Sequence, residues 1–478
     1  MDSEQRRKRK RTYRPYSRAQ YLSVRSLILC LCFLVFLLFI SSDRTVSIRP
    51  VLSVSRLSLL SSNSLQVPFR DKSSSLPLRI EGRVLFPDHL LLLASDGIHQ
   101  NEKLYCVYYR VSHNIPIEDG KYQDVAIKPV LFLEGYDEYR LVVRCPLPSL
   151  NYSASVDLRR SHVHVRDYDW SLKMKTNQTV HSWEKVVYEA AVDGNTAVVF
   201  AKGLNLRPHK ESDATHFRCR FGLGNWDKDN RFVVSTRAVT AAQEVVRCLF
   251  PRSLRKNPNK TLGIRVTLVH DTVNSNSKAL VDRVVMPSVA RIYNSKAYEQ
   301  RRRNQRKYEL CACTMLWNQA SSLKEWIMYH AWLGVERWFI YDNNSDDGIQ
   351  EVIEELELQN YNVSRHNWPW IKTQEAGFSH CALRARDQCK WVGFFDVDEF
   401  FYFPRDHERG LVGQNSLKSL VANYTYSKRI AEIRTACHSF GPSGLSSHPE
   451  QGVTVGYTCR LQSPERHKSI VRPDLLAM

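Results

Sequence analysis

The sequence has few of the residues that mark fibrous or low-complexity chains. Glycine and proline number only 19 each among 478 residues, which excludes a collagen-like or Pro/Gly-rich chain. Hydrophobic residues make up 43% and charged residues 24%, which is ordinary for globular proteins and excludes disorder throughout the chain. A chain of this length is expected to form about two to three folded domains.

Several common enzyme motifs are also missing. The sequence has no G-x-S-x-G elbow, no Walker phosphate loop and no H-E-x-x-H helix. Cys311 and Cys313 form a C-x-C pair without the close partners that a zinc site needs. These absences disfavour serine hydrolases, ATPases and zincins.

The positive charge is concentrated in two segments. The formal net charge is +19, of which residues 1–25 contribute +7 and residues 291–307 contribute +6. The remainder is unremarkable, so no nucleic acid or other polyanion partner is needed to explain it. We expect the second segment to be a solvated helix face within a linker.

One apolar run follows the first basic segment. Residues 27–40 (LILCLCFLVFLLFI) carry no charge, and flanking serines can extend a helix towards a marginal membrane span. A cleavable signal peptide is the alternative, but the long basic flank and the lack of an A-x-A site favour an uncleaved anchor. The positive-inside rule then places residues 1–25 in the cytosol, a transmembrane helix at 26–42 and the rest in the lumen.

Cysteines and sequons are consistent with a luminal protein. Ten cysteines follow the apolar run, an even number that is compatible with disulfides in the secretory pathway. Cys381 and Cys389 are expected either to form a local disulfide or to be buried. Glycosylation sequons occur at Asn151, Asn177, Asn259, Asn343, Asn362 and Asn423. We expect Asn343 to be unmodified if its loop lines a site.

The residue composition changes twice after the expected anchor. Residues 43–79 are serine-rich and indicate a flexible stem. Residues 80–287 contain short β-branched and aromatic runs, typical of an antiparallel sandwich that either binds sugar or is purely structural. Residues 288–308 form the expected linker, and residues 309–478 form the last domain.

The last domain has an α/β pattern. LCACTML and ERWFIYD read as strands, with amphipathic helices at 322–335 and 348–359 after them, and WVGFFDVDEFF contains a third strand. This alternation predicts a parallel sheet, and ligands bind beyond the carboxyl ends of such strands.

The candidate chemistry lies at those strand ends. Asp396, Asp398 and Glu399 follow an apolar strand, and carboxylates this close repel one another unless they share a cation. If the extended conformation persists, Asp396 and Asp398 face one site, which would suit Mn²⁺ or Mg²⁺ together with substrate phosphates.

Two further groups precede the acidic strand. Asp342 and Asn343 end a strand and are candidates for nucleotide contacts, while Asp346 or Asp347 is expected to cap the helix from Gly348. The segment from Gln374 and Glu375 to His380 and Arg384 forms a third polar cluster, although a lone histidine is more often structural.

From Glu309 onward the sequence resembles a known family. The segments TMLWNQASSLKEWIMYHAWLGVERWFIYDNNSDDG, HCALRARDQCKWVGFFDVDEFFYF, HSFGPSG and HKSIVRP are similar to glycosyltransferase family 92 of plants, near the pectic β-1,4-galactan synthase-like galactosyltransferases. The resemblance implies a Golgi type II membrane glycoprotein with a GT-A fold. It would move a sugar, expected to be galactose, with inversion, from a UDP-sugar to a cell-wall glycan in a Mn²⁺-dependent reaction.

The same resemblance assigns roles to single residues. Asp396 and Asp398 would hold the metal and the diphosphate, and Asp342 would lie in the nucleotide pocket. Lys468 and Arg472 would lie near the donor phosphates, and His438 to Gly441 near the acceptor. The general base stays open among Glu399, Glu432 and Asp387.

Family members continue beyond HKSIVRP, so the transferase domain is expected to be incomplete at its C-terminus. A shortened gene model, a splice variant and an inactive relative are all open. The alternative function is therefore a non-catalytic carbohydrate-binding or scaffold protein. The oligomeric state is unknown.

Overall fold

The computed structural model describes residues 78–95, 102–110, 125–137, 140–161, 179–204, 213–222, 233–273, 281–294, 307–403 and 413–476. All of them belong to the compact unit Val54–Met478, and the other unit, Met1–Ser53, lies outside them. The expected anchor, and the expected stem except for residues 78 and 79, also lie outside the described residues. Among those described, no helix is long and apolar enough to cross a membrane.

The first described part of the chain is almost entirely β-structure. Its sixteen strands are β1 Ile80–Leu85, β2 His89–Ser95, β3 Leu104–Tyr109, β4 Val125–Pro129, β5 Phe132–Gly135, β6 Arg140–Pro146, β7 Asp157–Arg160, β8 His181–Ser182, β9 Val186–Asp193, β10 Thr196–Lys202, β11 Phe217–Gly222, β12 Val233–Ala242, β13 Val245–Leu249, β14 Arg265–Val273, β15 Val281–Val285 and β16 Ile292–Tyr293. Two short 3₁₀ turns, Ala214–His216 and Pro258–Thr261, accompany them.

These strands form three sheets, so the region is more than the single sandwich expected. A five-stranded sheet (β5-β6-β2-β1-β8) faces a three-stranded sheet (β4-β3-β7) across a shared apolar core, with the Cys106–Cys145 disulfide joining them. An eight-stranded sheet (β15-β14-β11-β12-β13-β10-β9-β16) encloses a second core. The pairings are antiparallel except β1 with β8 and β9 with β16.

The second part of the chain has the α/β pattern. Its strands are β17 Tyr308–Leu316, β18 Arg337–Asp342, β19 Val363–Asn367, β20 Cys389–Phe394, β21 Glu432–Cys437 and β22 Arg466–Val471, and its helices are α1 Ala320–Trp332, α2 Ile349–Leu358, α3 Gln374–Ala385, α4 Ser416–Ala422 and α5 Val453–Gly456. The sheet order is β19-β18-β17-β20-β22-β21. The first four are parallel, as the sequence predicts, but β22 runs antiparallel to both β20 and β21.

The two parts share an apolar core. Leu91 and Leu93 of β2, together with Phe200 of β10, join the cluster that contains Trp368 and Trp370. The alternate residues Leu90 and Leu92 face the opposite core, so β2 is buried on both faces. Burial on both faces explains the continuous leucine run in the sequence.

Residues near 290 do not form a solvated linker, contrary to the expectation. Ile292 is buried in β16, and Arg291 pairs with Glu81 at 2.8 Å and donates to the Gly263 carbonyl at 3.0 Å. Residues 295–306 lie outside the described residues.

The cysteine pairing differs from the local bond considered from the sequence. Cys311 pairs with Cys389 and Cys313 pairs with Cys381. Because Cys311 and Cys313 are two residues apart in β17, both face the side on which α3 packs. Cys219 pairs with Cys248, and Cys437 and Cys459 are free thiols.

Buried neutral histidines make stability pH-dependent. His330 of α1 is fully buried, and burial lowers its pKa to about 3, against 6.5 for an ordinary histidine. The unfolded chain therefore takes up a proton below pH 6.5 that the folded chain excludes, and stability present above that pH is lost as the pH falls. Between pH 7.5 and 5.5 we expect His330 to contribute a loss of about 1.4 kcal/mol in the free energy of unfolding.

Guanidinium denaturation of the unchanged chain and of His330→Gln at both pH values measures this loss. The variant should lose about 1.4 kcal/mol less than the unchanged chain over the interval. Burial raises the pKa of Glu189 to about 7, which acts in the opposite direction but equally in both proteins. Identical pH dependence in the two proteins would contradict the assignment.

Candidate functional site

Residues 396–399, here called the acidic turn, follow β20 at the carboxyl edge of the parallel strands. The strand ends at Phe394, and the Glu399 amide donates to the Asp396 carbonyl at 3.1 Å, which closes the turn. The Asp396 amide donates to Glu399 Oε2 at 2.9 Å. Val397 is buried and Asp398 is exposed. The extended conformation on which the shared orientation of Asp396 and Asp398 depended therefore does not persist.

Lys468 supplies the positive charge that the acidic turn needs. Its Nζ lies 2.7 Å from Asp396 Oδ2 and 2.8 Å from Glu399 Oε2. Burial acts to lower the pKa of this ammonium, but its hydrogen bonds to Asp396 and Glu399 outweigh that effect and raise the pKa. Gln374, the first residue of α3, donates from Nε2 to Asp396 Oδ1 at 2.9 Å.

The antiparallel strand β22 explains how Lys468 reaches the turn. Ser469 pairs with Phe394, so the start of β22 lies beside the end of β20. Lys468 is one residue before that pair, and Asp396 is two residues after it. A parallel strand in this position would have presented its opposite end.

Helix α1 holds the acidic turn in place through hydrogen bonds and aromatic contacts. The Trp326 indole donates to the Glu399 carbonyl at 3.1 Å, and the Tyr329 hydroxyl donates to the Phe401 carbonyl at 2.7 Å. The ring of Phe395 packs against Trp326 and His330, with centroids 5.0 and 4.7 Å apart. These contacts fix the backbone that carries Asp396 and Glu399.

Asp342 is held in a buried ion network. Only 1% of it is exposed, and its Oδ2 accepts from Arg365 Nε at 2.8 Å and Nη2 at 2.5 Å. Its Oδ1 accepts from the Ser345 amide at 2.9 Å. Arg365 also pairs with Glu134 of β5. Asp342 thus shapes the loop at 343–348, with both of its oxygens already bonded.

Other residues of that loop have specific partners. Asn343 Nδ2 donates to the carbonyls of Trp368 at 2.6 Å and Trp370 at 3.1 Å, so a glycan at this nitrogen would have to replace both bonds. Asp347 Oδ2 accepts from the Ala320 amide at 2.7 Å. The expected cap on the helix after Gly348 is therefore wrong, because Asp347 caps α1 and Asp346 bonds Asn318.

The structure places His380 and Arg384 in the shared aromatic core. His380 is 1% exposed and contacts the hydroxyls of Tyr293 and Tyr341, the latter at 2.6 Å. Burial holds the pKa of His380 well below its usual value. Arg384 lies over the rings of Phe339 and Tyr341. Neither residue is brought to the acidic turn.

Three more candidates lie away from the acidic turn. Glu432 begins β21, five residues or about 17 Å from Cys437 at the site end of that strand. Hydrogen bonds from Arg434 and Ser469 lower the pKa of Glu432, which weakens it as a base. Arg472 follows β22 and bonds the Ser427 carbonyl and Asp474, while Asp387 precedes β20.

The segment His438–Gly441 begins next to the acidic turn. Cys437 Sγ lies 3.6 Å from Glu399 Oε1, and burial, followed by Glu399, raises the pKa of this thiol. His438 Nδ1 is 3.0 Å from the Leu461 carbonyl, and the Gly441 amide donates to the Cys459 carbonyl at 2.9 Å. The segment is thus paired with residues 459–461 beside the site.

The described residues do not by themselves form a complete set of side-chain ligands for a divalent cation. In the part of the chain that the structure describes, no three histidine, cysteine, aspartate or glutamate side chains are grouped to hold a metal. Asp396 and Asp398 supply carboxylate oxygens, the donor type that Mn²⁺ and Mg²⁺ prefer, and such ions are usually bound by one or two carboxylates and completed by substrate phosphates.

Three contacts of the site were not assigned from the sequence. Gln374 stood in a recognised polar cluster, but only the fold shows that it bonds Asp396. Trp326 and Tyr329 looked like apolar positions of a helix, and their hydrogen bonds to the acidic turn have no local sequence signal.

Comparisons with known proteins give a consistent family. Residues 306–478 match the model of glycosyltransferase family 92. A glycosyltransferase family 92 protein of Ricinus communis is 59% identical over 100% of this chain and 80% of its own length. A galactan beta-1,4-galactosyltransferase of Arabidopsis thaliana is 30% identical over 42% of each chain. The resemblance seen in the sequence is confirmed.

One solved structure shows a faint likeness. A mannosyltransferase of Pyrobaculum calidifontis, in complex with GDP-Man and Mn²⁺, has a TM-score of 0.22 and 10% identity, and covers 31% of this chain and 41% of its own. Nothing is inferred from so low a score.

Removing the Arg365 guanidinium should destabilise the fold. The variant Arg365→Met leaves Asp342 and Glu134 buried without their cation, and we expect it to lower the free energy of unfolding by about 3 kcal/mol. Denaturant titration at pH 7.5 measures the change, and Lys324→Met, which removes an exposed ion pair, is the control with a loss below about 1 kcal/mol. Equal losses in the two variants would contradict the buried network.

Proposed function

The chain belongs to glycosyltransferase family 92, and from that premise we propose that it transfers galactose from a UDP-sugar to a glycan acceptor with inversion. The glycosyltransferase class follows from the family. The choice of galactose is supported by the similarity to a plant galactan galactosyltransferase.

One observation carries the proposal, namely the acidic turn with its lysine. Asp396, Glu399 and Lys468 converge at the carboxyl edge of the sheet, where open α/β folds bind their ligands. Lys468 Nζ is held 2.7 and 2.8 Å from the two carboxylates, so it is pre-positioned where diphosphate oxygens would gather.

The chain's own residues have distinct tasks in this proposal. Asp396 and Asp398 would hold a divalent cation, which when bound neutralises charge on the departing UDP. Lys468 contributes a second positive charge near the diphosphate, and Gln374 orients Asp396. Trp326 and Tyr329 keep the turn in place as the substrates bind.

The acceptor hydroxyl must lose a proton as its oxygen attacks the anomeric carbon and the bond to UDP breaks. Of the three bases considered, only Glu399 lies at the acidic turn. Glu432 pairs with Val471 of β22, level with Val392 within β20, and Asp387 precedes β20 at the other edge of the sheet. We therefore assign the base role to Glu399.

We also propose that the protein is a type II Golgi membrane protein with its catalytic part in the lumen. The four disulfides support an oxidising compartment. His438–Gly441, next to the turn, is proposed to contact the acceptor, a cell-wall glycan such as galactan.

Replacing the acidic residues tests the proposal. We expect Asp396→Asn and Asp398→Asn each to lower galactose transfer from UDP-galactose to galacto-oligosaccharide by about a hundredfold or more, because each removes a carboxylate that would hold the divalent cation at the diphosphate. Chelation of divalent cations with EDTA should act similarly. Turnover is measured as UDP release and as elongated product.

Control variants distinguish the loss of any carboxylate from the loss of the proposed general base. Glu351→Gln removes an exposed carboxylate in the first turn of α2 and should leave turnover unchanged. Glu432→Gln should retain most activity, whereas Glu399→Gln should lose it, which distinguishes the two candidate bases. A folded chain that turns over no UDP-sugar would instead favour a non-catalytic glycan-binding function.

A further inference from the structure

The loop after β18 receives contacts from the β-rich part of the chain. Arg144 of β6 donates from Nη2 to Asn344 Oδ1 at 2.6 Å, across 200 residues of sequence. Asn344 has a left-handed backbone, with φ of 72°, and its Nδ2 donates to the Pro369 carbonyl at 3.1 Å. The Asn344 side chain therefore links Arg144 to the segment that follows β19.

The geometry of β5 and β6 presents Arg144 to this loop. Phe132 pairs directly with Arg144, and the guanidinium lies 4.6 Å from the centroid of the Phe132 ring. Glu134, two residues along β5, faces the same side and pairs with Arg365, which holds Asp342. One edge of the β-rich region thus contacts the loop at both Asp342 and Asn344.

An arginine at this position lowers the stability of the fold relative to an apolar residue, so packing alone does not explain its presence. Burial lowers its pKa, with Asp342 and Glu134 acting in the opposite direction, and its Nε has no hydrogen-bond partner among the described residues. A partly buried guanidinium whose buried Nε lacks a hydrogen-bond partner loses stability relative to an apolar side chain of similar size. Among the described residues, the guanidinium donates its hydrogen bond to Asn344.

The loop itself lies where a nucleotide is expected. It leaves the carboxyl end of β18, one strand from β17 and two strands from the acidic turn after β20. Its other anchors are Asn318, which bonds Ser345 and Asp346, and Asn343, which bonds the Trp368 carbonyl. Arg144 is the residue of the β-rich region that bonds a side chain of the loop directly.

We propose that Arg144 is a positioning residue for donor binding that acts through Asn344. In this way the β-rich region would fix the conformation of the loop at 343–348, where the nucleotide is expected to bind. This inference rests on the proposed use of a UDP-sugar. Arg144 itself need not touch the donor. It holds the loop in one conformation, and the binding free energy of the nucleotide is then not spent on ordering that loop.

Steady-state kinetics with the full chain, UDP-galactose and galacto-oligosaccharide test the proposal. Arg144→Met keeps the packing on Phe132 but removes the bond to Asn344, and we expect the KM for UDP-galactose to rise about tenfold with kcat within about twofold. Calorimetric titration with UDP should show the same weakening. Arg144→Lys, which retains one donor, should recover part of the affinity.

Asn344→Gly removes the acceptor while tolerating the positive φ, and it should raise KM by a similar factor. If Arg144 acts through Asn344, the double variant should be no worse than either single variant. Arg160→Met, which breaks a partly buried pair with Glu102 elsewhere in the β-rich region, is the control and should leave KM unchanged.

A purely structural role predicts a different result. Loss of folded protein would lower kcat and leave KM unchanged, and that outcome in Arg144→Met would overturn the inference while leaving the proposed function intact. Additive effects in the double variant would also overturn it. If the unchanged chain neither binds UDP nor turns over UDP-galactose, the proposed function is wrong and this inference fails with it.

Discussion

Charge compensation at the carboxyl edge of the sheet is the constraint on which the rest of the structure depends. Asp342, Asp396 and Glu399 all lie at that edge, and carboxylates this concentrated repel unless cations are held among them. Each cation comes from a different strand from the carboxylates that it neutralises. Lys468 of β22 serves Asp396 and Glu399, and Arg365 of β19 serves Asp342.

These pairings dictate architecture as well as charge. Lys468 reaches the acidic turn because β22 is antiparallel to β20, so the site depends on the mixed direction of the strands in this sheet. Arg365 also binds Glu134 of β5, which ties the transferase sheet to the β-rich region. The shared core of Leu91, Phe200 and Trp370 reinforces that tie with apolar burial.

Local patterns in the sequence were sufficient for part of this picture. The apolar strand before Asp396, the helices after β17 and β18 and the parallel order of β17, β18 and β20 could all be inferred from periodicity and strand ends. The strands β19 and β22 are short and polar, with sequences VSRHN and RHKSIV, and carry no clear alternation.

Partners that are distant in sequence could not be inferred in this way. Arg365 and Glu134 are 231 residues apart, and the cysteine pairs of β17 join segments 78 and 68 residues apart. Arg472 was placed near the donor phosphates by resemblance alone, and Glu432 was one of three candidate bases. The register of the strands puts Glu432 opposite Val471, level with Val392 within β20, and Arg472 follows Val471.

Affinity of UDP for the chain, with Mn²⁺ present, tests the central claim most directly when the unchanged protein is compared with Lys468→Met by titration calorimetry. Binding weakened by about tenfold or more in the variant is the result that we expect, because a charge next to the diphosphate is lost. Equal affinity in the two proteins would contradict the assignment of the acidic turn and its lysine as the donor site.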